Sequence, residues 1–297
     1  MITDTRGLPH FLVIGAEKAG TTWLYQALRR HPDIFLPDTK EIHFFNRFNS
    51  LLEPVRHYEL GVEWYHRFFK RSAPHQLRGE ITPMYLSDEA AGWRIATLLP
   101  QVKLIYILRE PVSRAYSHYW MARRKGLVSN TFSELIAQRD PRFIGRGFYS
   151  GQIEHYLSLF PQEQMMGLTF DSLFNDKSSS LSRILQFIGV RSDEDQIMTI
   201  LSEMTVSTGE ASRPRILWAH QLMSRLSKAL RNDHLGSQLM DLLKQTRISR
   251  LKEMNFTTEP YEPINREDLI KLKEIYAEDI IKLAGIVDFS VQKWQEI

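Results

Sequence analysis

Residues 11–24, FLVIGAEKAGTTWL, constrain this chain more than any other stretch. Phe11 to Gly15 form an apolar run of strand length that ends on glycine. A loop with Gly15, Lys18 and Gly20 follows, and Thr21, Thr22 and Trp23 then open a segment of helical spacing. Leu24, Ala27 and Leu28 recur at i, i+3 and i+4, one face of a helix that ends near His31-Pro32. Strand, glycine loop and helix N-terminus in that order make an anion site. Loop N–H groups and the positive end of the helix dipole converge, and glycine lets the backbone approach an oxyanion.

The loop is close to the nucleoside-triphosphate pattern G-x-x-x-x-G-K-[ST] but departs from it. Gly15 and Gly20 keep the spacing, yet Thr21 stands where lysine belongs and the lysine sits inside the loop at position 18. The positions that would hold magnesium and reach a γ-phosphate are therefore changed. An unrelated strand–loop–helix turn remains an alternative on this stretch alone.

Further along, Ile34-Phe35-Leu36 reads as a short strand, and the aromatic-rich residues 58–70 as a helix with Trp64, Phe68 and Phe69 on one side. Strands are expected at Leu77–Thr82, Lys103–Leu108 and Met165–Phe170, and helices over 87–99, 111–124, 131–139, 150–160 and 180–188. Pro111 suits a first helical turn. Strands alternating with helices imply crossovers and a central parallel sheet. The expected architecture is α/β, a P-loop-like three-layer fold in one domain, with the core over about residues 8–190. From about residue 191 the pattern turns to helix and loop, with helices over 193–203, 215–230, 235–246 and 266–284 as a C-terminal elaboration.

Two later stretches, KEIHFFN (40–46) and LREPVSRAYSHYW (108–120), give the first one company. GAEKAGTT resembles the 5′-phosphosulfate loop of sulfotransferases that use 3′-phosphoadenosine 5′-phosphosulfate (PAPS). KEIHFFN resembles the acidic-aromatic motif of heparan-sulfate N- and O-sulfotransferases and their bacterial relatives, and LREPVSRAYSHYW resembles their 3′-phosphate motif. The resemblance covers about residues 8–190 with the motifs in the right order. It implies transfer of a sulfuryl group from PAPS to an acceptor, leaving PAP, without a metal.

Composition is compatible with that reading. Of the 297 residues 43% are hydrophobic, enough for a substantial core, and 38 Lys+Arg against 35 Asp+Glu leave only +3, too mild to indicate nucleic acid. Cysteine is absent, which excludes disulfides and thiolate chemistry. The first residues, MITDTRGLPH, lack a signal-peptide pattern and no run approaches ~18 apolar residues, so the expectation is a cytoplasmic protein without a membrane span. Oligomeric state stays open, a homo-oligomer included.

Sulfuryl transfer needs attacking and leaving atoms in line, stabilised charge on the moving group, and a base at the acceptor. The resemblance places Lys18, Ala19, Gly20, Thr21, Thr22 and Trp23 at the donor's 5′ end, with Lys18 near the oxygen bridging phosphate and sulfate. Glu41 is the candidate general base and His43 the second choice; if KEIHFF is extended, both point to one face. Arg109 and Ser117 match the 3′-phosphate pair, and Arg109 leaves the carboxyl end of a buried strand, where such sheets bind ligands. The alternative for Arg109 is an ion pair with Glu110. Arg146, Gly147 and Tyr149 resemble the stretch completing the nucleotide pocket, and Arg213 and Arg215 the late basic loop that closes over the phosphates. Glu80 and Tyr85 are acceptor contacts or core. Ile81 stands where heparan-type enzymes carry an acceptor-side lysine, which separates this chain from them on that side. The competing functions are a P-loop kinase or NTPase, against which Thr21 speaks, and a nucleotide-binding module without catalysis.

Overall fold

Burial explains why the opening apolar run was so legible. In the computed structural model, which describes residues 7–204, 211–214, 256–259 and 262–296, strand β1 (Phe11–Gly15) is buried along its whole length. It lies between β3 (Leu77–Ile81) and β4 (Lys103–Leu108), both parallel to it. The short β2 (Ile34–Phe35) extends the sheet beyond β3, and β5 (Met165–Thr169) extends it beyond β4, in the order β2-β3-β1-β4-β5. Strands covered on both faces read as continuous apolar runs rather than as alternation, as FLVIG and KLIYIL do.

Among the described residues the helices are α1 (Thr21–Leu28), α2 (Val62–His66), α3 (Glu89–Leu98), α4 (Pro111–Arg124), α5 (Phe132–Ala137) and α6 (Tyr149–Leu159). After β5 come α7 (Phe170–Asn175), α8 (Lys177–Ile188), α9 (Glu194–Ser202) and, near the end, α10 (Arg266–Ala284). Their starts are chemically marked. Pro111 opens α4 and the Glu110 carboxylate caps it, accepting from the Val112 and Ser113 amides at 3.2 and 2.7 Å. Glu110 is thereby occupied as a cap rather than as a metal-binding acid. Asp279 of α10 accepts from the Tyr149 amide at 2.7 Å, which ties the C-terminal helix to the start of α6. Gly147 lets α10 come that close, since a Cβ there would stand 2.7 Å from the Tyr276 ring.

Three expectations need correction. Residues 58–70 do not make one helix: Gly61 at φ 78° separates a 3₁₀ turn (His57–Leu60) from α2, and a second 3₁₀ turn (Arg67–Phe69) follows. Strand β5 stops at Thr169, whose side chain caps α7, so Phe170 is helical. The late region is not wholly helical, because β6 (Ala211–Pro214) pairs antiparallel with β7 (Phe256–Glu259). The helices expected over 215–230 and 235–246 lie outside the described residues.

The sheet positions the site. The β1, β3 and β4 loops leave from the same carboxyl edge, and β3 and β4 sit on opposite sides of β1. Open parallel sheets bind ligands in the crevice that such an arrangement leaves.

Candidate active site

The loop between β1 and α1 is shaped for an anion. Gly20, at φ 89°, is the N-cap of α1, and no side chain caps this helix, so its first-turn amides are left for a ligand. A Cβ at Gly20 would stand 2.8 Å from the Phe174 ring, so glycine is needed for packing as well as for conformation. Lys18 itself is left-handed, at φ 67°, and its ammonium donates to the Met121 thioether at 3.6 Å. Burial lowers its pKa, opposed by the Glu17 carboxylate, and Lys125, Arg124 and Arg109 lower it further. A desolvated ammonium that donates to a thioether is poised to take a stronger acceptor.

Arg109 leaves β4 at the same edge. Its guanidinium donates to the Lys18 carbonyl at 3.2 Å and lies over the Phe170 ring, 4.5 Å from the centroid. Phe170 packs on Phe174 and Phe174 on Trp23, with centroids 4.5 and 5.6 Å apart. Tyr149 holds Arg109 from behind, its hydroxyl donating to the Arg109 carbonyl at 2.9 Å. Because Tyr149 is fully buried, the expectation that it touches the nucleotide is corrected: its only polar atom is spent on the strand end that carries Arg109.

The stretch over residues 40–46 hangs on β3. The Glu41 amide donates to the Ile81 carbonyl at 3.1 Å, and the Phe44 amide to the Tyr85 hydroxyl at 3.0 Å. Tyr85 and Thr82 both donate to the Glu80 carboxylate at 2.6 Å, and Tyr65 donates to it as well. Glu80 is 1% exposed and its pKa is raised by burial against those hydrogen bonds, which lower it. Glu80 and Tyr85 are thus core residues that hold the motif, not acceptor contacts. Phe44 and Phe45 are buried too, Phe44 stacked on Tyr65 with centroids 4.3 Å apart.

The condition of an extended KEIHFF does not hold. Glu41 and His43 are both left-handed, at φ 62° and 57°, and the buried Ile42 anchors the stretch between them. The two side chains still meet, with the His43 Nε2 3.8 Å from the Glu41 carboxylate, and Lys40 also pairs with Glu41. Burial lowers the His43 pKa more than Glu41 and Asn46 raise it, so its imidazole is neutral at pH 7. The Asn46 amide donates to the Phe48 carbonyl at 2.6 Å and lies against His43 Nδ1, its nitrogen at 3.1 Å and its oxygen at 3.3 Å, which fixes the ring's orientation with Nε2 toward Glu41. Non-glycine residues in the left-handed region cost free energy and collect at functional sites. Among the described residues Lys18, Glu41 and His43 are three of the five.

A cavity of about 370 Å³ joins these parts. Its wall includes Lys18, Gly20, Thr21, Thr22, Glu41, Arg109 and Ser117. The structure therefore brings together most of the expected residues. Ala19 is fully buried, Trp23 stands beside the cavity on Phe174, and His43 lies behind Glu41, outside the wall. Arg213 falls in β6 opposite Thr257, and Arg215 lies outside the described residues.

A family model described as a sulfotransferase domain matches residues 8–234. The chain belongs to the sulfotransferase family. Human heparan sulfate glucosamine 3-O-sulfotransferase 3B1 is 31% identical to it over 197 residues, covering 64% of this chain and 48% of that protein. Human bifunctional heparan sulfate N-deacetylase/N-sulfotransferase 3 is 34% identical over 203 residues, covering 62% of this chain and 22% of that one. This sulfotransferase thus spans about half the length, or less, of these curated relatives. A crystal structure of a sulfotransferase from Alicyclobacillus acidocaldarius shares the fold, with a TM-score of 0.68, 21% identity, and coverage of 97% of this chain and 99% of that one.

Sequence reasoning missed five residues of the sulfotransferase cavity: Glu17, Ser50, Pro83, Met121 and Lys125, Pro83 having been read only as the end of a strand. Two carried a signal. Met121 and Lys125 follow Ser117 at i+4 and i+8, one stripe along α4 and just beyond its end. Glu17 and Ser50 carried none, because both are placed by Arg146, which is distant in sequence.

Proposed function

We propose that this protein transfers the sulfuryl group of PAPS to a hydroxyl group, or less readily an amine, of a carbohydrate, lipid or small or carrier-bound metabolite. One observation carries the reading: anion loop, Arg109–Ser117 pair and Glu41 open into a single cavity. The fit to the donor is good. The uncapped amides of α1, the Thr21 and Thr22 hydroxyls and the Lys18 ammonium suit the phosphosulfate end. Arg109 and Ser117 suit the 3′-phosphate, and the ring corner of Trp23, Phe170 and Phe174 beside Arg109 suits a purine.

In this mechanism Lys18 moves from the Met121 sulfur to the oxygen between phosphorus and sulfur and stabilises charge as PAP departs. Glu41 accepts the acceptor's proton as its oxygen attacks sulfur in line, a contribution of roughly 10²–10⁴-fold. His43, 3.8 Å away, and Lys40, paired with the carboxylate, hold Glu41 in its orientation. The expected setting is the cytoplasm; among the described residues no helix is long and apolar enough to cross a membrane.

The test compares ligands by thermal shift and then measures transfer. PAP without magnesium raises the melting temperature, and ATP with magnesium does much less. Labelled sulfate from PAPS then reaches acceptors in fractionated metabolites. The reverse ligand ranking supports a kinase, and stabilisation by PAP without any transfer supports a nucleotide-binding module.

A further inference from the structure

Arg146 connects two parts of the molecule that the proposed mechanism uses separately. It lies in a 3₁₀ turn (Gly145–Gly147), is 7% exposed, and was expected to touch the nucleotide. Its guanidinium is committed elsewhere. Nη1 donates to the Glu17 carboxylate at 2.8 Å and to the Ser50 carbonyl at 2.9 Å, and Nη2 donates to the Asn49 carbonyl at 3.1 Å. Glu17 is the residue before Lys18 in the donor loop, and Ser50 lies on the wall of the reaction cavity.

Residues 48–54 form a self-supporting turn. Phe48 bridges to Pro54, the Asn49 side chain accepts from the Leu51 and Glu53 amides at 2.9 and 3.1 Å, and the Leu52 amide donates to the Asn49 carbonyl at 3.0 Å. Leu52 takes a left-handed φ of 63° to close it. Arg146 grips this turn at its first corner by two carbonyls while also holding Glu17, from two nitrogens held apart in a rigid planar fork that a compact ammonium does not offer.

The other end of the grip is an acid in an anion loop. A carboxylate beside Lys18 would repel a phosphosulfate unless it were neutralised and drawn aside, and Arg146 does both. Burial raises the Glu17 pKa, and Arg146 and Arg114 oppose that. His118 Nδ1 is 3.6 Å from the same carboxylate, and burial with Arg114 keeps that ring neutral.

We infer that Arg146 is a positioning residue that clamps the 48–54 turn to the donor loop through Glu17, so that filling the donor loop fixes Ser50 in the cavity and completes the acceptor side. The inference rests on the PAPS reading of the loop. It assigns an order to the reaction, donor first, and makes Ser50 a contact for the acceptor or the moving sulfuryl group.

Hydrogen exchange on the full chain, with PAP as the probe, tests this without an identified acceptor. In the wild type, PAP slows exchange of the Leu51, Leu52, Glu53 and Val55 amides at least fivefold. In Arg146→Lys and in Glu17→Gln those amides exchange at least tenfold faster without nucleotide, β1 and β4 amides are unchanged, and PAP binds but no longer slows the turn. A structural role alone would raise exchange throughout and leave the PAP effect in place, which overturns the clamp. Equal exchange of the turn in Arg146→Lys and wild type also overturns it, whether or not PAP binds. Absence of a PAP thermal shift in the wild type sinks the donor reading instead, so the two failures are told apart.

Discussion

The two sides of the cavity are built differently. On the donor side, Lys18, Thr21, Thr22, Arg109 and Ser117 stand on or next to β1, α1, β4 and α4, and neighbouring backbone fixes where each one lies. On the acceptor side, residues 38–56 contain no helix and no strand beyond the Phe48–Pro54 bridge. They are held by side chains from afar: Tyr85 and Thr82 on the motif backbone, Asp88 on the Arg47 amide at 2.5 Å, and Arg146 on the next turn. A side built from regular elements keeps one ligand, while a side built from loops and tethers can change its ligand without disturbing the other.

If the sides are separable, substitutions should affect one and spare the other. Glu41→Gln is expected to lower turnover by roughly 10²–10⁴-fold while the PAP thermal shift stays as in wild type; a weakened shift would mean the sides are not independent. Lys18→Ala is expected to cost about 10²–10³-fold in turnover and to weaken PAP as well, read by calorimetric titration beside the transfer assay. Arg109→Lys keeps the charge but loses the fork, and calorimetry should show PAP affinity lower by about 1.5–3 kcal/mol with no change in how fast the acceptor's proton is lost.

Tyr85→Phe leaves the Phe44 amide and the Glu80 carboxylate short of a partner. Chemical denaturation should show a loss of about 1–3 kcal/mol, turnover should fall, and PAP affinity should not.

The smallest effect is a pH slope. Burial lowers the pKa of His43 on the acceptor side and of His118 beneath the donor loop. Between each folded pKa and the ordinary value of 6.5 the unfolded chain binds the extra proton, so stability rises with pH in that window and is lost on acidification. Each such proton contributes about 1.4 kcal/mol per pH unit. His118→Gln and His43→Gln should each flatten the fall in melting temperature below pH 6.5; equal slopes in wild type and His118→Gln would show that its ring is solvated.

Much of this was legible in one dimension. The strand of FLVIG, the glycine at position 20, the first-turn proline of α4 and the limits of α10 follow from burial periodicity and backbone preference within a few residues. Lys18 and Arg109 were legible because they sit at strand ends. Less legible were positions fixed by contacts across the chain. Tyr149 looked like a nucleotide contact because GRGFYSG resembles the stretch that completes the nucleotide pocket, and only the fold shows its hydroxyl turned to the Arg109 carbonyl. The backbone of Glu41 and His43 was open in the sequence, and the structure makes both left-handed while anchoring the stretch at Ile81, Thr82 and Tyr85.

The amino-acid order alone determined the parallel sheet, the anion loop and the identity of the groups that would grip a sulfated nucleotide, since each depends on residues adjacent in the chain. Tertiary structure alone decided that Glu41 faces the same cavity as Lys18, that Glu80 is a buried anchor, and that Arg146 spans from Glu17 to Ser50. Those facts rest on hydrogen bonds between residues tens of positions apart, and no local propensity encodes a partner at that distance.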